Sequence, residues 1–368
     1  MAAGVAAAIA ETMARVRGAP VTPEMARLRA TVQMNCHVSD ARHARDLTLC
    51  TYLLEMRELY RWEQGLAPGT AVPKGAVGAW LAEREALWTG LDATDYAPLP
   101  IQGASVDPFD AESANATLVP QGYVYGAGVG RLGKPQFFLA ALAGDERRGS
   151  VRVLRAGSEF ARDLSPGPAA LRGDTVYLRQ DALRRWIGGR LEIHLHRPAD
   201  GPMQRALRAY GVGDDPAQGI DSIAAAEAET LVLHELGEHG AAARLPAGWR
   251  DAMAAVSGTR AEWLLRAARD HLADCLVTLP QLAARDDPAS LHFWFANLEG
   301  LRAELFPSIA GAYAAWLAGD REAIGSVAAR GVPHWQGMCE RAVALHAAQG
   351  AACAAGIDTT FAEAAACL

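Results

Sequence analysis

The chain has 368 residues, 51% hydrophobic and 21% charged, which is the composition of a folded globular protein and not of a disordered or collagen-like one. This length predicts about two domains. The 35 basic and 42 acidic residues give a net charge of −7. Proteins that bind nucleic acids by neutralising phosphates carry the opposite sign, so we expect no nucleic-acid partner.

The distribution of cysteines and apolar segments bears on location. Six cysteines are spread through the chain without a C-x-x-C pair, which is typical of reduced thiols in the cytoplasm. The segment Met1–Ala10 is apolar but lacks the basic start of a signal peptide, and we interpret it as an amphipathic or frayed first helix. The longest uncharged runs, such as Ser113–Gly130, contain Pro and several Gly, which disfavours a membrane span. We therefore expect a cytoplasmic protein with no membrane partner.

Helical patterns dominate the first part of the chain. Ser39 or Asp40 is expected to cap a helix that continues to Trp62, and a second helix is predicted over Lys74–Leu91. Pro, Gly, Ser and Asp are enriched over 98–122, which predicts a linker or long loop.

Short β-prone runs follow in the middle of the chain, starting near Tyr123, Pro135, Val151 and Thr175. They predict a small antiparallel sheet with hairpin turns at Gly126–Gly133 and Gly144–Gly149. A helix is expected over Asp181–Arg190, and the remainder is all helical. The sequence thus predicts a predominantly α-helical α+β fold: a helical segment over 1–97, a β-containing region over 98–197 and a helical bundle over 198–368.

The glycine-rich run from Gly128 to Lys134 matches the letters of a phosphate-binding P-loop except at its end. Pro135 stands where Ser or Thr should hold magnesium, and a strand follows instead of a helix. A hairpin turn explains this run better than a nucleotide site.

The stretch Asp221–Leu245 carries the most informative polar pattern. It resembles the zinc-protease motif H-E-x-x-H, but His239 lies five positions after His234, where a helix turns it away. The residue one turn from His234 is Glu238, and Glu227 shares that face two turns earlier. A histidine and a carboxylate so spaced can bind one metal ion, although a solvated polar face is the simpler interpretation for an isolated helix.

Two further helical segments, 261–281 and 290–305, repeat the combination of imidazole and carboxylate; their polar residues are Asp270, His271 and Asp274 in the first and His292 and Glu299 in the second. Three neighbouring helices of this kind suggest ligands that face the interior of a bundle, as in carboxylate-bridged iron and manganese proteins. The alternative for the two aspartates is ion pairing with Arg266 or Arg269.

The segment before the second predicted helix is also dense in polar side chains, namely Cys36, His37, Asp40, His43, Asp46 and Cys50. Cysteine catalysis is disfavoured, because Cys50 lies two turns from His43 and adjacent Cys36 and His37 point apart. One face of the predicted helix forms a stripe, with Asp46 at its edge, of His43, Leu47, Cys50, Leu54, Arg57 and Arg61. We expect this stripe to pack on the C-terminal bundle, where His43 and Asp46 would add ligands or support them. A network of ion pairs between two domains is the alternative.

Four motifs carry a resemblance to a known family: Asn35-Cys-His-Val-Ser-Asp-Ala-Arg-His43, Met56-Arg-Glu-Leu-Tyr-Arg-Trp-Glu63, Leu233-His-Glu-Leu-Gly-Glu238 and Arg269-Asp-His-Leu-Ala-Asp-Cys275. Over most of its length the chain resembles a bacterial family known only as a domain of unknown function. The resemblance implies no fold, activity or ligand.

These patterns predict a metal-dependent enzyme, an oxidoreductase that acts on a small-molecule substrate. The expected ligands are His234, Glu238, Asp270 and Asp274, with Glu227, His271, His292 and Glu299 as further candidates. Mixed oxygen and nitrogen donors favour iron, with manganese or zinc as other choices, and Arg57 or Arg61 would orient an anionic substrate. Two alternatives stay open: a metal-free adaptor or assembly protein with ion-paired helix faces, and a zinc hydrolase with Glu235 as general base.

Overall fold

The computed structural model describes residues 22–130, 133–196, 200–212 and 216–364. The helix predicted over Met1–Ala10 lies outside these residues. The chain forms two compact units, divided between Ile193 and His194. Within the described ranges, no helix is both long enough and apolar enough to span a bilayer. The fold is predominantly helical, and its strands lie in the first unit.

Three helices begin the first unit: α1 (Pro23–His43), α2 (Leu49–Glu63) and α3 (Lys74–Trp88). The prediction of one helix from Ser39 or Asp40 to Trp62 is wrong, because both polar residues are buried inside α1. A short 3-10 turn, Ala44–Asp46, ends α1. Thr48 then caps α2 by accepting a hydrogen bond from the Thr51 amide.

The segment predicted as a loop over 98–122 contains regular structure instead, namely β1 (Leu99–Ile101), β2 (Ala104–Val106) and α4 (Ala111–Leu118). Gln102 and Gly103 join the two strands, and both have positive φ values, 49° and 76°. This conformation suits a two-residue hairpin turn, so the turn-forming residues connect strands and do not mark an extended linker. Asp110 caps α4 by accepting from the Ser113 amide.

A five-stranded sheet follows: β3 (Tyr123–Val129), β4 (Pro135–Arg148), β5 (Val151–Arg162), β6 (Ala169–Arg172) and β7 (Thr175–Arg179), in the order β3-β4-β5-β7-β6. The predicted strands are present, but the sheet is not purely antiparallel, because β5 and β7 pair in parallel. The chain passes from β5 to β6 at the edge of the sheet and then turns back into β7. The strand β7 therefore lies between β5 and β6 and runs parallel to β5. The sheet is curled, and Arg172 of β6 donates to the Val129 carbonyl of β3 at the opposite edge.

The core of the first unit lies between α1 and this sheet. Val32 and Cys36 on one side of α1 meet Phe137 and Leu139 of β4, and all four are buried. A second apolar cluster, including Met56, joins α2 to α3. The helix α5 (Gln180–His196) follows β7 directly and contains the division between the two units.

The second unit has no strand among its described residues, and its α-helices are α6 (Pro202–Ala209), α7 (Pro216–Ala242), α8 (Trp249–Ala255), α9 (Arg260–Ala273), α10 (Leu279–Ala283), α11 (Ala289–Ala296), α12 (Gly300–Leu305), α13 (Pro307–Leu317), α14 (Ala323–Gln349) and α15 (Ala354–Ala364). The helix predicted over 261–281 is interrupted by a π-helical turn, Asp274–Thr278. The helix predicted over 290–305 ends at Ala296, and Gly300, with a φ of 54°, starts another.

Candidate metal centre

The helix α7 supplies the first two donors of the candidate site. His234 and Glu238 lie one turn apart on α7, as the i,i+4 spacing predicts, and Nε2 of His234 is 3.7 Å from Oε1 of Glu238. Both side chains are mostly buried, with exposed fractions of 21% and 16%. The polar face of α7 therefore points into the second unit and not into solvent.

Gly237 lets α9 come close to that face. A Cβ at this position would lie 2.4 Å from the Ala273 carbonyl oxygen, so any other residue would push α7 away from the end of α9. Because this glycine lies between the two donors in sequence, close approach occurs where His234 and Glu238 need a partner. The sequence signal for this role is the glycine inside an otherwise regular helix.

Asp270 of α9 completes a group of three donors. One ligand atom from each of His234, Glu238 and Asp270 lies within 4.8 Å of the other two. One imidazole nitrogen and two carboxylate oxygens at this separation can all reach a single cation of the size of iron, manganese or zinc. The structure thus brings together three of the four residues predicted as primary ligands.

Asp274, the fourth predicted ligand, contacts the other ring nitrogen of His234. Its Oδ1 accepts a hydrogen bond from Nδ1 of His234 at 2.8 Å, and its other oxygen pairs with Arg302. Asp274 is fully buried and is the first residue of the π-helical turn. A carboxylate bound to Nδ1 leaves Nε2 available to a metal ion, which is the common supporting arrangement for a metal-binding histidine.

The charges around the site determine the protonation of these groups. Burial alone would raise the pKa of Asp274, but Arg302 and His234 outweigh burial and hold that pKa well below its usual range. For His234, burial would lower the pKa, but Asp274, Glu238 and other nearby carboxylates raise it to about 10. The imidazole is therefore protonated near neutral pH, and a metal ion at Nε2 would have to displace that proton.

Arg269 provides positive charge within the same group. Its Nη2 lies 2.7 Å from Oε1 of Glu238 and 3.2 Å from Oδ1 of Asp270. This guanidinium neutralises two of the three donors. Its pair with Asp270 is the ion pairing that the sequence left open as an alternative, whereas the pair with Glu238 was not predicted.

The remaining predicted ligands lie in other surroundings. Glu227 is buried two turns earlier on α7, where it accepts from Tyr210. His271 is stacked on Trp335 in the core, with Nε2 2.9 Å from the Arg302 carbonyl oxygen. The last two candidates do not join the three donors. Nδ1 of His292 lies 2.8 Å from the Tyr313 hydroxyl, and Glu299 is an exposed residue at the start of α12.

The other predicted catalytic residues are placed as follows. Glu235 is buried beside His234, one position along α7, so it points about 100° away from that histidine around the helix. Arg57 and Arg61 belong to the first unit, where their guanidinium nitrogens lie 2.7 and 3.3 Å from Oε2 of Glu192. Both arginines are thus held by a carboxylate of their own unit.

The polar residues of this N-terminal segment are divided by the break between α1 and α2. His43 and Asp46 contact each other at 3.1 Å near the surface, and Cys50 is exposed. Three others are buried in α1: Cys36 donates to the Phe137 carbonyl at 3.2 Å, His37 lies between Arg84 and Trp88, and Asp40 accepts from the Leu164 amide. The predicted single stripe does not form, because it required one continuous helix.

A buried charge cluster in the first unit, at the ends of the central strands β4, β5 and β7, was not predicted from the sequence. Lys134, at the end of the P-loop-like run, lies 2.7 Å from Asp40 and 3.3 Å from Asp163. Arg179 lies 2.6 Å from Glu159 and 3.5 Å from Asp163. These residues come from distant parts of the chain, and the one available signal was the rarity of lysine in an arginine-rich sequence.

Two family profiles together match almost all of the described chain. Residues 27–179 match the N-terminal domain, and residues 184–364 the C-terminal domain, of a family of unknown function, DUF6866. The chain therefore belongs to the DUF6866 family, which confirms the resemblance noted from its four motifs. The boundary between the two domains lies close to the division between the two structural units. No curated protein and no solved structure matches the chain.

Proposed function

We propose that the second unit is the catalytic part of a metal-dependent enzyme in which His234, Glu238 and Asp270 bind one divalent transition-metal ion. The observation that carries this proposal is the group of three donor atoms within 4.8 Å, together with the Asp274 carboxylate on the far nitrogen of the histidine. Isolated acidic clusters lack such support, whereas a carboxylate that orients a histidine is typical of metal centres.

The donor set indicates which metal is preferred. Two carboxylate oxygens and one imidazole nitrogen suit iron or manganese better than zinc, because thiolate and multiple imidazole ligands are absent from this group. Bound there, iron or manganese would supply a redox centre for oxidative chemistry on a small molecule. We propose an oxidoreductase on this basis, in a helical bundle centred on α7, α9 and α14, and we keep the expected cytoplasmic location because sparse cysteines favour a reducing compartment.

Arg269 supports a second candidate, a metal-free adaptor or assembly protein. If the guanidinium is the permanent counterion of Glu238 and Asp270, the site needs no metal and serves to hold α7 against α9. The two candidates predict opposite effects of Arg269→Gln. Removal of a competing cation should preserve or strengthen metal binding in the first case, whereas it should mainly destabilise the second unit in the other.

Metal content tests the proposal directly. The protein, purified without added metal or chelator, is analysed by mass spectrometry for bound iron, manganese and zinc, and apo protein is then titrated with each ion. We expect about one equivalent of iron or manganese, lost in His234→Ala and in Asp270→Ala. Asp274→Asn should bind roughly 10- to 100-fold more weakly, because the supporting carboxylate is lost while the ligands remain.

Matched controls separate a lost ligand from a damaged fold. His346→Ala and Asp251→Ala change a histidine and an aspartate on other helices of the same unit and should leave the metal content unchanged. The double variant His234→Ala/Asp274→Ala removes the buried carboxylate together with its histidine partner, while Arg302 remains, and should bind no metal. The metal-dependent enzyme would be excluded, and the adaptor favoured, by one result. The wild-type protein would be isolated without metal and would bind none of the three ions, although its unfolding midpoint equals those of the controls.

A further inference from the structure

Arg302, on the short helix α12, lies next to the candidate metal centre. Its Nη2 pairs with Oδ2 of Asp274. Oδ1 of the same carboxylate accepts the hydrogen bond from Nδ1 of His234 at 2.8 Å. Arg302, Asp274 and His234 therefore form a chain of contacts that ends at the imidazole whose Nε2 would bind the metal ion.

The two contacts of Asp274 fix its carboxylate more firmly than one contact could. A carboxylate that is bound through one oxygen can still rotate about the bond to its Cβ atom, whereas partners on both oxygens set the plane of the group. Asp274 is fully buried, so the protein itself supplies both partners. Because Nδ1 of His234 donates to Oδ1, the position of this oxygen also sets the direction of Nε2.

Arg302 is anchored by neighbours of its own. Its backbone carbonyl accepts a hydrogen bond from Nε2 of His271 at 2.9 Å, and His271 is buried and stacked on Trp335. Its guanidinium carbon lies 5.9 Å from the centre of the Trp294 ring, within the range of a cation–π contact. The main chain and the side chain of Arg302 are thus both fixed, which is the property that a residue needs in order to orient another group.

The other arginine of this region makes a different kind of contact. Arg269 pairs with the donors Glu238 and Asp270 themselves, so it competes with a metal ion for their oxygens. Arg302 pairs instead with the carboxylate that orients the third donor. Replacement of either arginine by glutamine removes one positive charge from the second unit, but the contact that is lost differs.

We infer that Arg302 is a positioning residue of the proposed metal centre, which fixes Asp274 so that Nε2 of His234 is directed at the ion. This role rests on the proposed function, because it concerns the same site. Charge alone predicts the reverse effect, since loss of a nearby cation should make the site attract a divalent ion more strongly. The sign of the change in metal affinity therefore distinguishes positioning from charge.

The metal-free full-length protein is titrated with Mn²⁺, and the free ion is measured by electron paramagnetic resonance. Arg302→Gln should bind roughly tenfold more weakly than the wild type, as is typical when the support of a metal-binding histidine is lost. Arg302→Lys keeps the charge and a donor for Oδ2, and it should bind within about threefold of the wild type. Arg269→Gln, with the same loss of charge as Arg302→Gln, should bind as tightly as the wild type or more tightly. Arg250→Gln, at an exposed position on α8, is the control and should bind as the wild type does.

A second measurement uses the metal-free protein alone. In NMR spectra of protein with isotope-labelled histidine, the Nδ1 proton of His234 is assigned by its absence from His234→Ala. Its exchange with water should be slow in the wild type and in Arg302→Lys, and about tenfold faster or more in Arg302→Gln, because the acceptor is no longer fixed. Circular dichroism and the unfolding midpoint of each variant show that it is folded before variants are compared.

The outcomes separate this inference from the proposed function. If the wild type binds Mn²⁺ and folded Arg302→Gln binds it equally well or more tightly, the positioning role is wrong, although the metal centre is confirmed. If the wild type binds no metal ion, the proposed function fails, and the exchange of the Nδ1 proton decides whether Arg302 fixes the pair of Asp274 and His234. Equal exchange in the wild type and in Arg302→Gln overturns the inference in either case.

Discussion

Substitution of Gly237 tests the helix contact on which the candidate metal centre depends. The added Cβ of Gly237→Ala would lie 2.4 Å from a backbone carbonyl oxygen of Ala273, and an ordinary contact begins at 3.4 Å. The two helices must therefore separate locally by about 1 Å, because a backbone oxygen at the end of α9 cannot rotate away as a side chain can. Overpacking of this kind costs roughly 1–3 kcal/mol.

Helix propensity acts in the opposite direction and reduces the net loss of unfolding free energy. Alanine favours a helix over glycine by about 1 kcal/mol, so we expect Gly237→Ala to lower the free energy of unfolding by up to roughly 2 kcal/mol. Gly240, three residues later on the same helix, is the matched control, because nothing lies within 4 Å of its added Cβ. Gly240→Ala should instead stabilise the protein, by up to about 1 kcal/mol.

Denaturant unfolding, followed by tryptophan fluorescence and circular dichroism, measures both changes, with the transition of the second unit fitted separately if the two units unfold apart. Opposite signs for the two variants are the expected result. If Gly237→Ala is as stable as Gly240→Ala, the close approach of α7 and α9 is wrong, and the grouping of His234 with Asp270 loses its structural basis.

Two further predictions concern buried charges. Burial raises the pKa of Glu227 from 4.5 to about 7, so its stabilising contribution is complete below pH 4.5 and is lost as the pH rises through about 7. Relative to Glu227→Gln, wild-type protein should lose up to ~3 kcal/mol of unfolding free energy across that interval; a pH-independent difference in calorimetric stability would contradict this. In the first unit, Glu63→Gln should destabilise by ~3 kcal/mol or more, because Arg84, which lies 2.5 and 2.7 Å from the two Glu63 oxygens, keeps a buried charge. The double variant Glu63→Leu/Arg84→Met should recover most of that loss in urea unfolding, and failure to recover it would show that the charge is not the cause.

Local patterns were sufficient for the elements whose residues interact within one turn or one hairpin. The spacing of His234 and Glu238 placed both side chains on one face of α7, and the alternating β-prone runs identified four of the five strands of the larger sheet. The same kind of pattern was misleading at Ser39 and Asp40. Their N-cap character is real, but a buried contact with Lys134 and the Leu164 amide occupies Asp40 inside α1.

Sequence alone determined the helical periodicity, four strands of the larger sheet and the pairing of imidazole with carboxylate along α7, because each of these depends on backbone geometry within a few residues. Only the tertiary structure decided that Asp270 joins His234 and Glu238 as a donor, while Asp274 accepts a hydrogen bond from Nδ1 of the histidine. That assignment depends on the approach that Gly237 permits and on a π-helical turn starting at Asp274, and neither is set by helical spacing within a single segment. The buried charges around Lys134 and Arg179 belong to the same category, because their partners are brought together by strand order and not by sequence distance.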